Sequence, residues 1–345
     1  MPVKKPQSDP TPEIVETEDK QCDYSGVDTL KLSHRNWLFL GFVITVLLGM
    51  VGYFAIRSGT EYSDHTYTLQ GRMIRLVIGS DQDHTQLFGA AQAELERVFS
   101  RFSFFSPESE TTRLNMLPEI ERKTDPETDA FLRRLVDLSE KTLWHYDFTV
   151  GAHYRLYVPF ELPLPETYQY PTMFTLEEET VVSDTPFLFY FGKAIKGYAL
   201  DKALEALRRA DPKVTGYCEI DGDILFFGPK AGGADWIAGG WNSQELYLSS
   251  GALFHHPLKT SPEGMARYED TLLLSPEMGE VLNRYQYSAV IAPTALEAAC
   301  FLVAAQTLDP QWLFECLTRW GWAGCLITER ESLYSPLWNR YTHNH

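Results

Sequence analysis

Hydrophobic and polar positions divide the chain into three regions. From Trp37 to Ile56 (WLFLGFVITVLLGMVGYFAI) 20 residues pass without a charge. At about 1.5 Å rise per residue they span a hydrocarbon core of roughly 30 Å. A polar stretch of 36 residues precedes this run and no small-residue cleavage site follows Tyr53. The run therefore reads as a retained transmembrane helix, not a signal peptide. Beyond it, helix and strand periodicities alternate. Arg72 to Ile78 (RMIRLVI) predicts a strand, and Leu87, Ala91, Leu95 and Val98 mark one helix face. Phe131, Leu135 and Leu138 mark a second helix opening after Pro126, and Leu200, Leu204 and Leu207 a third. Pro159, Pro163, Pro165 and Pro171 enforce a loop or strand-edge segment between them. Short strands are expected at Tyr217 to Ile220, Asp223 to Phe227, Glu245 to Leu248, Thr271 to Leu274 and Tyr287 to Ile291. A very apolar helix, Thr294 to Leu308, a further helix, Gln311 to Trp320, and a strand, AGCLIT, close the chain. The text shows no internal repeat and no regular βαβ spacing, which indicates an α+β domain and not a doubly wound sheet.

Residues 1–36 carry Pro2, Pro6, Pro10 and Pro12 among many acids and read as a disordered tail. Lys31 and Arg35 lie just before the apolar run, with Lys20, Lys5 and Lys4 further back, whereas only Arg57 follows closely before Arg72. Positive charge stays inside, so residues 1–36 are expected in the cytoplasm, 37–56 in the bilayer and 57–345 outside. In a bacterium that means the inner membrane with a periplasmic C-terminal domain. Gly41, Thr45 and Gly49 recur every four residues, with Gly52 near the same face. Such a stripe admits a partner helix, although glycine is also simply frequent in membrane helices.

Composition narrows the function classes. The 345 residues are 44% hydrophobic and 22% charged, which excludes wholesale disorder. Lys plus Arg total 30 against 47 Asp plus Glu, a net charge of −17. Residues 1–57 hold 6 basic and 7 acidic residues, so 24 and 40 remain and the outer domain carries −16. An acidic surface repels phosphate, so no nucleic-acid partner is expected. The 5 cysteines are scattered without a CxxC pair, against a disulfide scaffold or zinc ribbon. No GxSxG, HExxH, Walker loop or CxxCH occurs. His145 and His153 read as core or surface residues, and His255 and His256 as part of a polar loop before Pro257.

The ordered motifs of the outer domain resemble the ApbE family, the FAD:protein FMN transferases, over residues 66–330. In FSRFSFFSPESETTRLN, Ser109, Glu110, Arg113, Leu114 and Asn115 match the family's S-E-x-x-R-L-N segment. Asp147, Thr149 and Gly151 match D-x-T-x-G. GKAIKGYALD resembles G-G-x-x-K-G-Y-x-x-D, keeping Lys196, Gly197, Tyr198 and Asp201 with Lys193 at the second Gly. IDGDILFFG resembles the G-G-D strand, keeping Gly222 and Asp223 with Asp221 at the first Gly, and LSSGA sits where T-S-G belongs. The resemblance implies an ApbE-like flavin-transferase fold carried on a single N-terminal transmembrane helix. It offers Glu110, Asn115, Lys196 and Asp223 as remnants of a flavin-nucleotide site. Read from the residues alone, Lys196 meets a phosphate or is a solvated lysine at a helix start. Asp223 is a ribose or adenine ligand or a turn residue.

The family's chemical positions are another matter. The resemblance implies an A-D-A-x-A-T helix whose Asp and Thr hold magnesium on the FAD pyrophosphate. Aligned on the shared A-P-T-A start (Ala292 to Ala295), this chain has Ala299 and Val303 at those positions. A hard cation needs oxygen ligands, which neither side chain supplies. In the H-x-x-D-P-x-x-G segment, Leu272 stands at the His and Ser275 at the Asp. The expectation is a catalytically inactive pseudoenzyme with no cofactor and no metal ligand. Its role would be that of a structural or accessory subunit among integral membrane partners of an electron-transfer complex, respiratory or photosynthetic. The alternatives are an active FMN transferase using FAD and magnesium, and a flavin-binding module without turnover.

Overall fold

The computed structural model describes residues 42–47, 61–116, 121–155, 161–162, 174–240, 244–257, 273–282 and 284–342. The chain divides into two units, Met1–Gly59 and Thr60–His345. In the first, residues 42–47 are helical and include Thr45. Among the described residues no helix is long and apolar enough to cross a membrane. The expected tail, most of the expected span 37–56, and Gly41, Gly49 and Gly52 lie outside the described residues.

The second unit is built on one antiparallel sheet. It opens with a hairpin, β1 (Tyr62–Leu69) and β2 (Arg72–Gly79), whose turn residues Gln70 and Gly71 have φ of 48° and 81°. Two positive φ values in a two-residue loop match the right-handed twist of the flanking strands. Helix α1 (His84–Phe102) follows, capped by Asp83, and turns Leu87, Ala91, Leu95 and Val98 inward as its periodicity predicts. Next come α2 (Glu110–Asn115), β3 (Glu121–Lys123), α3 (Pro126–Lys141) and the single turn α4 (Gly151–Tyr154). Strands β4 (Phe174–Glu177) and β5 (Thr180–Ser183) join β3 in a small sheet of order β3-β5-β4.

Helix α5 (Lys193–Ala210) leads into β6 (Thr215–Ile220) and β7 (Asp223–Phe227). A hairpin of β8 (Trp236–Gly239) and β9 (Glu245–Leu248) precedes β10 (Ser250–Pro257) and β11 (Tyr287–Ala292). The chain closes with α6 (Ala295–Ala304), α7 (Pro310–Arg319), β12 (Ala323–Ile327) and β13 (Ser332–Tyr334). The large sheet has 8 strands in the order β1-β2-β6-β7-β10-β11-β12-β13, all neighbours antiparallel.

Both faces of this sheet are covered. Along β2, Ile74, Leu76 and Ile78 face the helices while Val77 faces the other way. Along β10, Ala252 and Phe254 join the helix side and Leu253 the opposite side, where the β8–β9 hairpin and Trp338 close a second core. Apart from Glu297 in its first turn, helix α6 is apolar all round, and a helix of that kind is buried in the interior. Phe301 and Leu302 are fully buried there, each worth roughly 1.5–3 kcal/mol.

Two expectations change. His255 and His256 lie not on a polar loop but on β10, paired with Ala289 and Ser288 of β11. Of the strand expected at Thr271 to Leu274, Leu274 makes one isolated bridge to Val281, while Thr271 and Leu272 lie outside the described residues.

Candidate functional site

The G-K-A-I-K-G-Y and D-G-D segments meet at the start of α5. Gly192 precedes the helix with φ +54°, and a Cβ there would press on the Tyr190 ring at 2.9 Å. Lys193 and Lys196 lie one turn apart, so both side chains leave the same helix face. They reach the turn between β6 and β7, where Asp221 and Gly222 have φ of 50° and 92°. Gly222 is required twice over, because a Cβ would also meet the His255 ring at 2.8 Å.

The result is a buried ion cluster. Lys196 Nζ lies 2.9 Å from Asp223 Oδ2, and Lys193 Nζ lies 3.1 Å from the same oxygen. Asp223 Oδ1 accepts the His255 backbone N–H at 2.9 Å. Lys196 also donates to the Ile220 carbonyl at 3.4 Å and Lys193 to that of His255 at 3.3 Å. Lys193, Lys196 and Asp223 are all buried, Lys196 with 2% of its surface exposed, so the solvated-lysine reading fails. Asp223 is likewise no exposed turn residue, because it opens β7 from the interior. Burial would raise its carboxyl, but Lys193, Lys196 and His255 outweigh that and hold it down at about 2.

The remaining motif residues hold chain segments together. Ser109 caps α2 through the Thr112 N–H, and Glu110 grips Arg113 with contacts of 2.6 and 2.7 Å. Asn115 pairs with the backbone of Phe189 inside the protein. Asp147 Oδ1 accepts both the N–H and the hydroxyl of Thr149 at 2.7 Å, while Oδ2 has no partner among the described residues. Burial pushes this carboxyl up to about 6. Gly151 N–H donates to the Leu188 carbonyl at 2.8 Å, and a Cβ on Gly151 would sit 2.6 Å from that oxygen.

Asp201 has a role that its motif spacing alone did not disclose. Its carboxylate accepts the N–H groups of Ala295 and Leu296 at 2.9 and 3.1 Å, so α5 caps α6. Burial raises this carboxyl to about 6. Asp201 and Thr294 line a cavity of about 420 Å³ with Arg134, Arg208 and Trp322; Lys193, Lys196 and Asp223 are not part of its wall.

The residues do not fit magnesium. Ala299 is fully buried in the core and Val303 packs against it, both on α6 and both hydrocarbon. Glu297, the nearby carboxylate, accepts the Thr294 hydroxyl at 2.9 Å. Among the described residues no three His, Cys, Asp or Glu side chains gather as a metal group. Leu272 lies outside the described residues. Ser275 caps a turn by accepting the Met278 N–H, and His153 Nε2 contacts the Pro276 carbonyl at 3.0 Å. His145 pairs with Thr307 at 2.8 Å. Reading the motifs singly missed that Lys193 and Asp221 share one cluster; the signal was a charged residue at a glycine position in each.

The profile of the ApbE family matches residues 59–242, more than half of the chain. No match was found among curated protein sequences. The crystal structure of the ApbE protein from Thermotoga maritima superposes with a TM-score of 0.71 at 21% identity, covering 82% of this chain and 100% of that one. The flavin transferase ApbE from Vibrio cholerae gives 0.66 at 16% identity over 82% of this chain and 99% of its own. The apo flavinyl transferase ApbE from Pseudomonas stutzeri gives 0.66 at 16% over 83% and 98%. At these identities the likeness establishes the fold, and the profile match establishes the lineage: this chain belongs to the ApbE family.

Proposed function

We propose that this chain is a membrane-anchored, non-catalytic ApbE-type protein that serves as a structural or accessory subunit of a membrane-bound electron-transfer complex. Enzymes of the family use FAD as substrate and magnesium as cofactor. The observation that carries the reading is the replacement of both magnesium-holding side chains by hydrocarbon, Ala299 buried in the core and Val303 packed against it on α6. Losing two oxygen ligands removes the ion that neutralises charge on the leaving AMP. Leu272 and Ser275, at the family's His and Asp positions, supply no strong base.

The uncharged run from Trp37 to Ile56 supports an anchor, and the basic residues before it support a cytoplasmic N-terminus with the domain in the bacterial periplasm. An anchor confines the partners to proteins in or beside the same bilayer. The stripe of Gly41, Thr45, Gly49 and Gly52 suits contact with a partner helix.

The full chain in mild detergent, given FAD, Mg²⁺ and a Thr-bearing acceptor peptide, is expected to yield no FMN-modified peptide by mass spectrometry. Transfer that is abolished by Lys196→Ala would overturn the reading in favour of an active transferase. A yellow protein that releases flavin on denaturation, without transfer, would indicate a flavin-binding module. Co-migration with a multisubunit complex on native gels supports the accessory role, and a clean monomer refutes it.

A further inference from the structure

We infer that Lys193 and Asp221 form, with Lys196 and Asp223, an ion cluster that closes the start of α5 to both magnesium and pyrophosphate. The inference rests on the non-catalytic reading and says how the old site was rebuilt.

Both residues stand where the family pattern has glycine, hence no side chain, and they carry opposite charges. They come from separate segments, α5 and the β6–β7 turn, and the fold brings them to one place. Lys193 Nζ lies on Asp223 Oδ2 at 3.1 Å, and Asp221 Oδ2 lies 3.9 Å from Lys196 Nζ. Lys196 and Asp223 are themselves in contact at 2.9 Å. Each departure makes the other tolerable. Lys193 alone would set two buried ammonium groups on one buried carboxylate, and Asp221, solvent-exposed on the turn, brings a second negative charge to 3.9 Å from Lys196. A buried charge left without its counter-charge is strongly unfavourable.

The cluster also uses up the groups that a ligand would need. Asp223 Oδ2 already takes two ammonium donors and Oδ1 takes the His255 N–H. Asp221 Oδ1 accepts the Met73 N–H at 2.9 Å, which pins the turn to β2. A divalent cation arriving here meets two ammonium groups, and the carboxylates beside them already accept donors. A pyrophosphate meets lysines that are 4% and 2% exposed and already bonded to carboxylate and carbonyl oxygens.

Two measurements on the full-length protein test this. The first is a double-mutant cycle of Lys193→Gly and Asp221→Gly read by thermal unfolding. Each single change is expected to lower the midpoint on the order of 5 °C, and the double variant to recover most of the loss. Additive losses would overturn the coupling. The second needs no destabilised variant: calorimetry of the unaltered protein with inorganic pyrophosphate, with and without millimolar Mg²⁺, is expected to show no binding. A combined variant, Lys193→Gly, Asp221→Gly, Ala299→Asp and Val303→Thr, is expected to gain Mg²⁺-dependent pyrophosphate binding of at least tenfold. Mg²⁺-dependent pyrophosphate binding by the unaltered protein, without FMN transfer, would refute this inference and leave the non-catalytic reading standing. Metal-independent FMN transfer by a protein whose cycle is coupled would refute that reading and leave the cluster standing.

Discussion

Asn115 and Phe189 hold each other through a reciprocal pair of hydrogen bonds. The Phe189 N–H donates to Asn115 Oδ1 at 2.7 Å, and Asn115 Nδ2 donates to the Phe189 carbonyl at 2.9 Å. Asn115 thus acts as a one-residue strand partner for a segment that belongs to no sheet. The same segment carries Phe187, Phe189 and Phe191 into the core, where Phe189 lies parallel to Phe148 at 6.2 Å.

Replacing this residue by Asn115→Ala leaves a buried N–H and a buried carbonyl unpaired. Each costs about 1–3 kcal/mol, so a loss of roughly 2–6 kcal/mol is expected in urea unfolding. An unchanged midpoint would show that the amide serves a ligand and not the fold.

The cap from Asp201 onto α6 predicts a second loss. Asp201→Ala strips the partners of the Ala295 and Leu296 N–H groups at a helix start. About 1–3 kcal/mol is expected, with Asp201→Asn retaining part of it. Hydrogen exchange should locate the change at the first turn of α6, and protection left intact there would exclude the cap as the cause.

Gly197, between the motif lysine and tyrosine, is a packing glycine. A Cβ there would lie 2.6 Å from the Ala295 carbonyl oxygen and 2.7 Å from the Leu296 Cα, both backbone atoms. Gly197→Ala should therefore force α5 and α6 apart in spite of alanine's better helix propensity, costing about 1–3 kcal/mol. A rise in melting temperature would mean that the helices have slack at this crossing.

Stability should vary with pH in two limbs. Asp147 and Asp201 sit at about 6 because of burial, against about 3.9 in the unfolded chain. Between pH 4 and 6 the folded state keeps protons that the unfolded state has lost, so stability falls as pH rises, by at most about 3 kcal/mol for each group. Asp223, held at about 2 against its burial by the two lysines, acts in the opposite sense. Its contribution is present above about pH 4 and is lost as pH falls toward 2. Urea midpoints across pH 2–7 should therefore peak near pH 4. Asp147→Asn, which keeps an acceptor for Thr149, should flatten the upper limb, and an unaltered slope would exclude Asp147 as its source.

Local chemistry was legible without coordinates. The helix faces of α1 and α3 follow from Leu87, Ala91, Leu95 and Val98 and from Phe131, Leu135 and Leu138, because a 3.6-residue period needs only neighbouring residues to appear. In the structure Asp125 and Asp309 cap α3 and α7 just before a proline: the carboxylate takes orphan N–H groups and proline supplies none. The order of motifs placed the domain in its family, and the absence of oxygen at Ala299 and Val303 could be read from the same text. What only the tertiary structure decided are the relations between distant segments. His255 and His256 look like loop residues until β11 pairs with them. Lys196 looks solvated until Asp223 comes to it from the far side of a strand turn. Lys193 and Asp221 look like two unrelated lapses from a pattern, and their opposite charges acquire meaning only when α5 lies against the β6–β7 turn. Burial and ion pairing depend on which segments meet, a property of the folded chain and not of any stretch within it.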